Sequence, residues 1–393
     1  MPEFLPTIAS GQSNLRDMVR IKAQILEHGV APDRNFLENY GAPNLLKRRA
    51  YGNPDDLEYL NVDLPQELRL HDEVIVGAAA RSGSPWTLSR SPDGQNYVQH
   101  ASLGRVDVSF SAQPQFYEQR TVSGQPVNSI VTLYGGGALG IFAYGNCALV
   151  DMNAACQYCS ISANRSKGDE FQFAVSAKQV REALDVALAD EATPVKQVML
   201  NGGNFSDTDK SFLHYVTLVS AAREAIDAAG RDVELHLIVY PPHDYRLLHR
   251  LSDYDVHLAM NTEVHDPELF AKYCPGKEVL GGQRHLRRGL EEAVLALGPG
   301  QVYSIFVGGL ESVESLTDGL TLSAEMGVIP VINVLHADPG TPLAEHPEPS
   351  AQQIIEMGAA LEKTYADHSF CRSFYAGVGR NSLDHEAHLR LFS

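Results

Sequence analysis

Positive charge is scarce in this sequence. Its 393 residues hold 31 Lys and Arg against 49 Asp and Glu, a net charge of −18. A surface that grips duplex nucleic acid shows a basic stripe, so the balance argues against nucleic acid as a partner. Long apolar runs are missing too, and no stretch approaches the roughly 20 residues that span a bilayer. The start, Met-Pro-Glu-Phe-Leu-Pro-Thr-Ile-Ala-Ser, lacks the basic-then-apolar order of a secretion signal. The expected setting is the cytoplasm, with no membrane association. Cysteine is sparse, five residues in all, and in a reducing compartment clustered thiols point to metal more than to disulfides. The hydrophobic share, 44%, is that of an ordinary globular protein.

Three of the five cysteines fall within thirteen residues, Cys147-Ala-Leu-Val-Asp-Met-Asn-Ala-Ala-Cys156-Gln-Tyr-Cys159. Three readings compete. Free cysteine is often a small core residue, but three in a polar loop fit that poorly. A Cys-x-x-Cys turn suits a zinc knuckle, with a fourth ligand from a histidine or from Cys274 or Cys371; no second such turn lies nearby. Three thiolates on one loop also suit a cubic iron–sulfur cluster, with three irons ligated and the fourth open to a ligand.

Along the chain, residues 1–13 read as a loose leader. A helix follows from Asn14, with Leu15, Met18, Val19, Ile21, Ile25 and Leu26 near helical spacing and Gly29 as its stop. Prolines break residues 30–70. Short apolar runs such as Val74–Val76, Arg105–Phe110 and Ser129–Tyr134 read as strands of a β-rich region. Beyond the cysteines, strands at 195–200, 233–240, 256–260, 302–307 and 328–335 alternate with helices. With Leu139–Tyr144 as the first, six strands alternate with helices. Such alternation means a parallel α/β sheet, either an open partial (βα)6 barrel of the TIM type or a doubly wound sheet. The organisation expected is 1–130 for the N-terminal helix and β-rich region, 131–345 for the barrel, and 346–393 for a C-terminal helix and tail. The chemistry of such sheets gathers where loops leave the carboxyl ends of strands. The cysteines, both double-glycine turns and Glu263 all follow expected strands.

A cysteine trio ending in Cys-x-aromatic-Cys, after the first strand of a βα-repeat chain, resembles the radical S-adenosylmethionine (radical SAM) superfamily. The interval here is Cys-x8-Cys-x2-Cys, longer at its first gap than the common Cys-x3-Cys-x2-Cys. Pro114-Gln-Phe-Tyr117, Cys156-Gln-Tyr-Cys-Ser-Ile161, Met260-Asn-Thr-Glu263, Pro275-Gly-Lys277 and Pro339-Gly-Thr-Pro-Leu343 are similar to a branch found beside nitrilase-like genes. The likeness runs from about residue 112 to 345.

The resemblance implies that Cys147, Cys156 and Cys159 hold a [4Fe–4S] cluster whose open iron chelates S-adenosylmethionine. It implies that Tyr158 lies against the adenine. It places Asn201-Gly202-Gly203-Asn204 at the turn that binds the methionyl amine, with Asn204 where relatives carry an acid. It implies that Glu263 reaches the ribose hydroxyls and that Gly308-Gly309 lets the backbone approach the adenine. The activity implied is reductive cleavage of the sulfonium to a 5′-deoxyadenosyl radical, which takes hydrogen from a small polar metabolite in a biosynthetic pathway. A flavodoxin or ferredoxin would supply the electron. Sulfur transfer to a nucleoside or sugar is an alternative, although Cys274 and Cys371 alone are a thin supply for a second cluster. A non-catalytic zinc- or cluster-binding protein is another. Tyr240, His243, Glu311, Asn333, His336 and Asp338 follow expected strands and are candidates to face the substrate. Cys274 and Cys371 read as structural thiols.

Overall fold

Helix starts follow capping chemistry written in the sequence. The computed structural model describes residues 14–40, 46–47, 64–65, 67–77, 79–165 and 173–393; the expected leader at 1–13 lies outside them. Asn14 caps α1 (Leu15–His28), which ends at Gly29 and buries Met18, Val19, Ile21 and Ile25. That face packs on strands β1 (Glu67–His71) and β2 (Val74–Gly77) and shares a core with β3 (Trp86–Arg90), β4 (Asn96–His100) and β5 (Gly104–Asp107). Leu68, Val76, Trp86, Leu88 and Val98 complete that core. The β3–β4 hairpin was not among the expected strands.

The larger sheet has seven strands. β6 (Thr132–Tyr134) pairs antiparallel with β7 (Ala138–Tyr144). β8 (Gln197–Gly202), β9 (Glu234–Ile238), β10 (His257–Ala259), β11 (Val302–Gly308) and β12 (Ile329–Val334) then add in sequence order, each parallel to the last. The result is a curled half-barrel. Helices cross between them: α2 (Ala177–Ala189), α3 (Thr208–Ala229), α4 (Pro267–Tyr273), α5 (Pro275–Val279), α6 (Gly282–Leu297), α7 (Val313–Glu325) and α8 (Ala351–Asp367). Ser176 with Gln179, and Ser350 with Gln353, form capping boxes on α2 and α8. Asp207 caps α3 by accepting the Lys210 N–H. The segment Tyr245–Leu251 is a 3-10 helix.

Strand residues alternate between two cores, as period-two geometry demands. Val198, Leu200, Leu235 and Leu237 face outward onto Val180, Leu184, Phe212 and Leu218. Met199, Tyr303, Ile305 and Val331 face an inner core. The C-terminal tail fills that inner core from the strands' amino ends. Phe374 lies 4.5 Å from the His236 ring and 4.8 Å from Tyr303, ring centre to ring centre. The buried Asp384 carboxylate holds the tail by accepting the N–H groups of Phe374 and Tyr375. Lys22 of α1 pairs with Glu386 at 2.6 Å, both buried, and so ties the two ends of the chain together.

Candidate metal and cofactor site

The cysteine loop leaves the carboxyl end of β7. Cys147 precedes a single helical turn, Ala148–Asp151. Cys156 is buried and Cys159 exposed, and the Cys159 N–H donates to the Cys156 carbonyl at 3.1 Å. The turn after β8 clamps the start of the loop. The Ala148 N–H donates to the Asn204 carbonyl at 2.8 Å, and the Gly203 N–H to the Tyr144 carbonyl at 2.9 Å. A Cβ on Gly203 would stand 1.7 Å from the Asn146 carbonyl oxygen. Gly202 has φ +147, and its Cβ would meet the Tyr144 carbonyl at 2.7 Å. Both glycines therefore let the Asn201–Asn204 turn pack on the cysteine loop itself.

Among the described residues, a trio of potential ligand atoms all within 4.8 Å of one another occurs at Glu234, His236 and His257. The three thiols of the loop sense one another. Burial, then the charges of Cys156 and Cys147, push the Cys159 thiol up to about 12, although the residue keeps contact with solvent. Three thiols on one loop fit the thiolate ligation of a cubic iron–sulfur cluster. Metal binding would also discharge the cost of deprotonating a crowded thiol.

Glu263 follows β10 and is buried. Its backbone is left-handed, φ 67, a costly conformation for a non-glycine residue. Two sheet bonds hold it there: its N–H donates to Ile305 O at 2.9 Å, and Val307 N–H donates to its carbonyl at 2.8 Å. Its carboxylate accepts from Lys277 Nζ at 2.6 Å. Lys277 also donates to the Asn261 carbonyl at 3.2 Å.

The α4–α5 turn, Tyr273-Cys274-Pro275-Gly276, straps the other side of the cysteine loop. Gln157 N–H donates to Tyr273 O and Gly276 N–H to Ala154 O, both at 2.9 Å. The turn brings Cys274 to the site, where the Tyr158 hydroxyl lies 3.7 Å from its sulfur. Sequence reading set Cys274 aside as structural and gave Lys277 no role. The only sequence signal for either was their place in a Cys-Pro-Gly-Lys turn.

The remaining candidates spread around the strand ends. Asn201, Asn333 and the unforeseen Asn261 each bury an Oδ1 with no hydrogen-bond partner, and Asp338 buries an Oδ2 in the same state. His336 Nδ1 lies 2.8 Å from the other Asp338 oxygen. Tyr240 is buried, with its hydroxyl 3.5 Å from the Lys277 carbonyl. His243 is exposed, its ring 4.9 Å from that of His285. The Glu311 carboxylate is engaged by the His265 and Asp266 N–H groups and the Ser315 hydroxyl. A Cβ on Gly308 would meet Ile332 and Met357 of α8, and one on Gly309 would meet Pro349. Those two glycines thus serve close packing on the outer layer. Cys371 is buried in the inner core with the tail.

The Glu234–His236–His257 trio lies at the opposite, amino end of the sheet. His236 Nε2 is 2.9 Å from Glu234. Arg372 lies 3.2 Å from His257 Nδ1. A guanidinium only donates, so that ring carries its proton on Nε2, the atom facing Glu234. A cation beside a protonated ligand atom is a poor metal site.

No family model matches the sequence. Over 280 residues the chain is 24% identical to the bacteriochlorophyllide c C-7(1)-hydroxylase of Chlorobaculum limnaeum, covering 68% of each chain. Among solved structures it is similar to a radical SAM methyltransferase from Sphaerobacter thermophilus, with TM-score 0.42, 15% identity, and 72% of this chain and 76% of that one covered. It is also similar to the FeFe-hydrogenase maturase HydG from Carboxydothermus hydrogenoformans, with TM-score 0.41, 14% identity, and 61% and 54% covered. No helix of the described residues is long and apolar enough to cross a membrane.

Proposed function

We propose that this protein is a radical SAM enzyme, built on a partial (βα)6 barrel, that takes hydrogen from a small polar metabolite in a biosynthetic pathway. Its cofactors are a [4Fe–4S] cluster and S-adenosylmethionine. The observation that carries the reading is the cysteine trio, three free thiols on one loop at the carboxyl end of a parallel sheet. Buried acceptors without partners at the ends of β8, β10 and β12 add to it, since such groups call for a polar ligand. The sequence likeness to a hydroxylase points the same way, because hydroxylation also begins at a C–H bond.

Cys147, Cys156 and Cys159 would hold the cluster. The chemistry such a cluster would supply is one-electron reductive cleavage of the bound sulfonium to methionine and a 5′-deoxyadenosyl radical. The protein's own part is placement. The Asn201–Asn204 turn fixes the loop that carries Cys147 and offers the Asn201 amide to the methionyl end. Glu263, oriented by Lys277, offers carboxylate oxygens to hydroxyl donors. Asn333, His336 and Asp338 face the substrate from the far side of the sheet. The electron would come from a small carrier such as a flavodoxin or ferredoxin.

The test is anaerobic purification and reconstitution, followed by reduction with S-adenosylmethionine present. Iron and sulfide near four per chain, with 5′-deoxyadenosine and methionine released, are the expected results. Zinc in place of iron in oxygen-protected protein would overturn the reading.

A further inference from the structure

We propose that the substrate is an amine and that the Asp338 carboxylate holds its ammonium group. The inference rests on the radical SAM reading and deepens it, by giving the small polar metabolite a charge and a point of attachment.

The inner faces of three strands run into the site. Met199, Ala259 and Val331 belong to the inner core. Two residues further along the chain, on the same face by period-two geometry, come Asn201, Asn261 and Asn333. Each of the three keeps its Oδ1 buried and without a partner. Asp338 follows β12, in a loop fastened to the cysteine side of the barrel. Leu335 and Leu343, which flank it, pack in one cluster with Leu149 and Cys156. A Cβ on Gly340 would stand 3.1 Å from the Cβ of Ala163, just past Cys159.

The Asp338 side chain is buried and held in one direction. Its Oδ1 accepts from His336 Nδ1 at 2.8 Å. The Thr341 N–H and hydroxyl close the turn on the Asp338 carbonyl, at 3.2 and 2.8 Å. Its Oδ2 meets no donor among the described residues. Neighbouring cations are engaged elsewhere. Lys277 donates to Glu263 and the Asn261 carbonyl. Arg81 pairs with Glu348, which also accepts the Ala337 N–H.

A buried carboxylate oxygen without a donor costs more than a neutral group in the same state. A ligand that answers it must donate. An ammonium group fits best, because it brings three N–H groups and the opposite charge, and charge-assisted bonds are roughly twice as strong as neutral ones. A phosphate or carboxylate on the ligand would instead set like charge against Asp338.

The test uses anaerobically reconstituted protein with S-adenosylmethionine present. Iron content and 5′-deoxyadenosine release are measured first, and they report on the radical SAM reading alone. Wild type and Asp338→Asn are then melted with amino sugars and diamines, with the matching neutral sugars and diols, and with sugar phosphates and dicarboxylates. The expected result is a higher Tm of wild type with at least one amine, none with its neutral or anionic counterparts, and loss of the rise in Asp338→Asn. Without a probe, Asp338→Asn should melt at or above wild type, since a neutral amide is cheaper to bury than a carboxylate with a bare oxygen. A lower Tm or failure to fold overturns the proposal, by making Asp338 a structural residue. Stabilisation of wild type by phosphates or carboxylates instead of amines also overturns it. So does an amine shift that Asp338→Asn keeps. Zinc-loaded protein sinks the radical SAM reading at the first step, whereas iron-loaded protein that no amine stabilises sinks this inference alone.

Discussion

Lys277 and Glu263 form a buried ion pair, Nζ to Oε1 2.6 Å, on a residue held in a left-handed backbone. Removing one partner of such a pair strands a charge in low dielectric and costs about 3–5 kcal/mol. Lys277→Met should lower stability by that order in urea unfolding. Glu263→Gln, which keeps an acceptor for the ammonium, should cost less. Equal losses in the two variants would show that a neutral acceptor does nothing for the stranded ammonium and that the charge on Glu263 carries the whole pair.

The cysteines should divide into ligands and bystanders. Cys147→Ala, Cys156→Ala and Cys159→Ala are each expected to drop iron from about four per chain to near none after anaerobic reconstitution. Cys371→Ala, in the inner core, should retain it. Iron assay alongside circular dichroism separates ligand loss from unfolding.

Gly203 faces the Asn146 carbonyl so closely that any side chain must push the cysteine loop away. Gly203→Ala is expected to destabilise the protein by at least about 1–3 kcal/mol. Reconstituted iron should fall as well, since the backbone that moves is the one leading into Cys147. Thermal melts and iron content check both parts.

At the sheet's amino end, His257 is held down to about 4, first by burial and then by the charges of His236 and Arg372. The unfolded chain binds a proton near 6.5 that the folded state refuses. Stability is therefore full above about pH 6.5 and falls as pH drops toward 4, by up to about 1.4 kcal/mol per pH unit from this group. His257→Gln should flatten unfolding free energy measured across that window.

What could be read from the chain alone was local. The Ser176–Gln179 and Ser350–Gln353 boxes span three residues and fix their helices without distant help. Near-continuous apolar runs such as Val302–Val307, broken only by Ser304, mark strands covered on both faces, and β11 is buried throughout. The β3–β4 hairpin escaped notice because its strands alternate unevenly between buried and half-buried positions. The cysteine trio stood out because its members are neighbours in sequence. Cys274 lies 115 residues beyond Cys159, and only the path through β8, β9 and β10 brings it back. Likewise, Glu311 looks free at a strand end, yet two backbone N–H groups from another loop occupy it.

The tail fills the barrel's inner core from below. With Phe374 and Tyr375 packed there, a ligand at the carboxyl ends of the strands would rest on a floor made by the chain's own C-terminal segment. Changes in that segment would then reach the floor without passing through any residue of the cysteine loop.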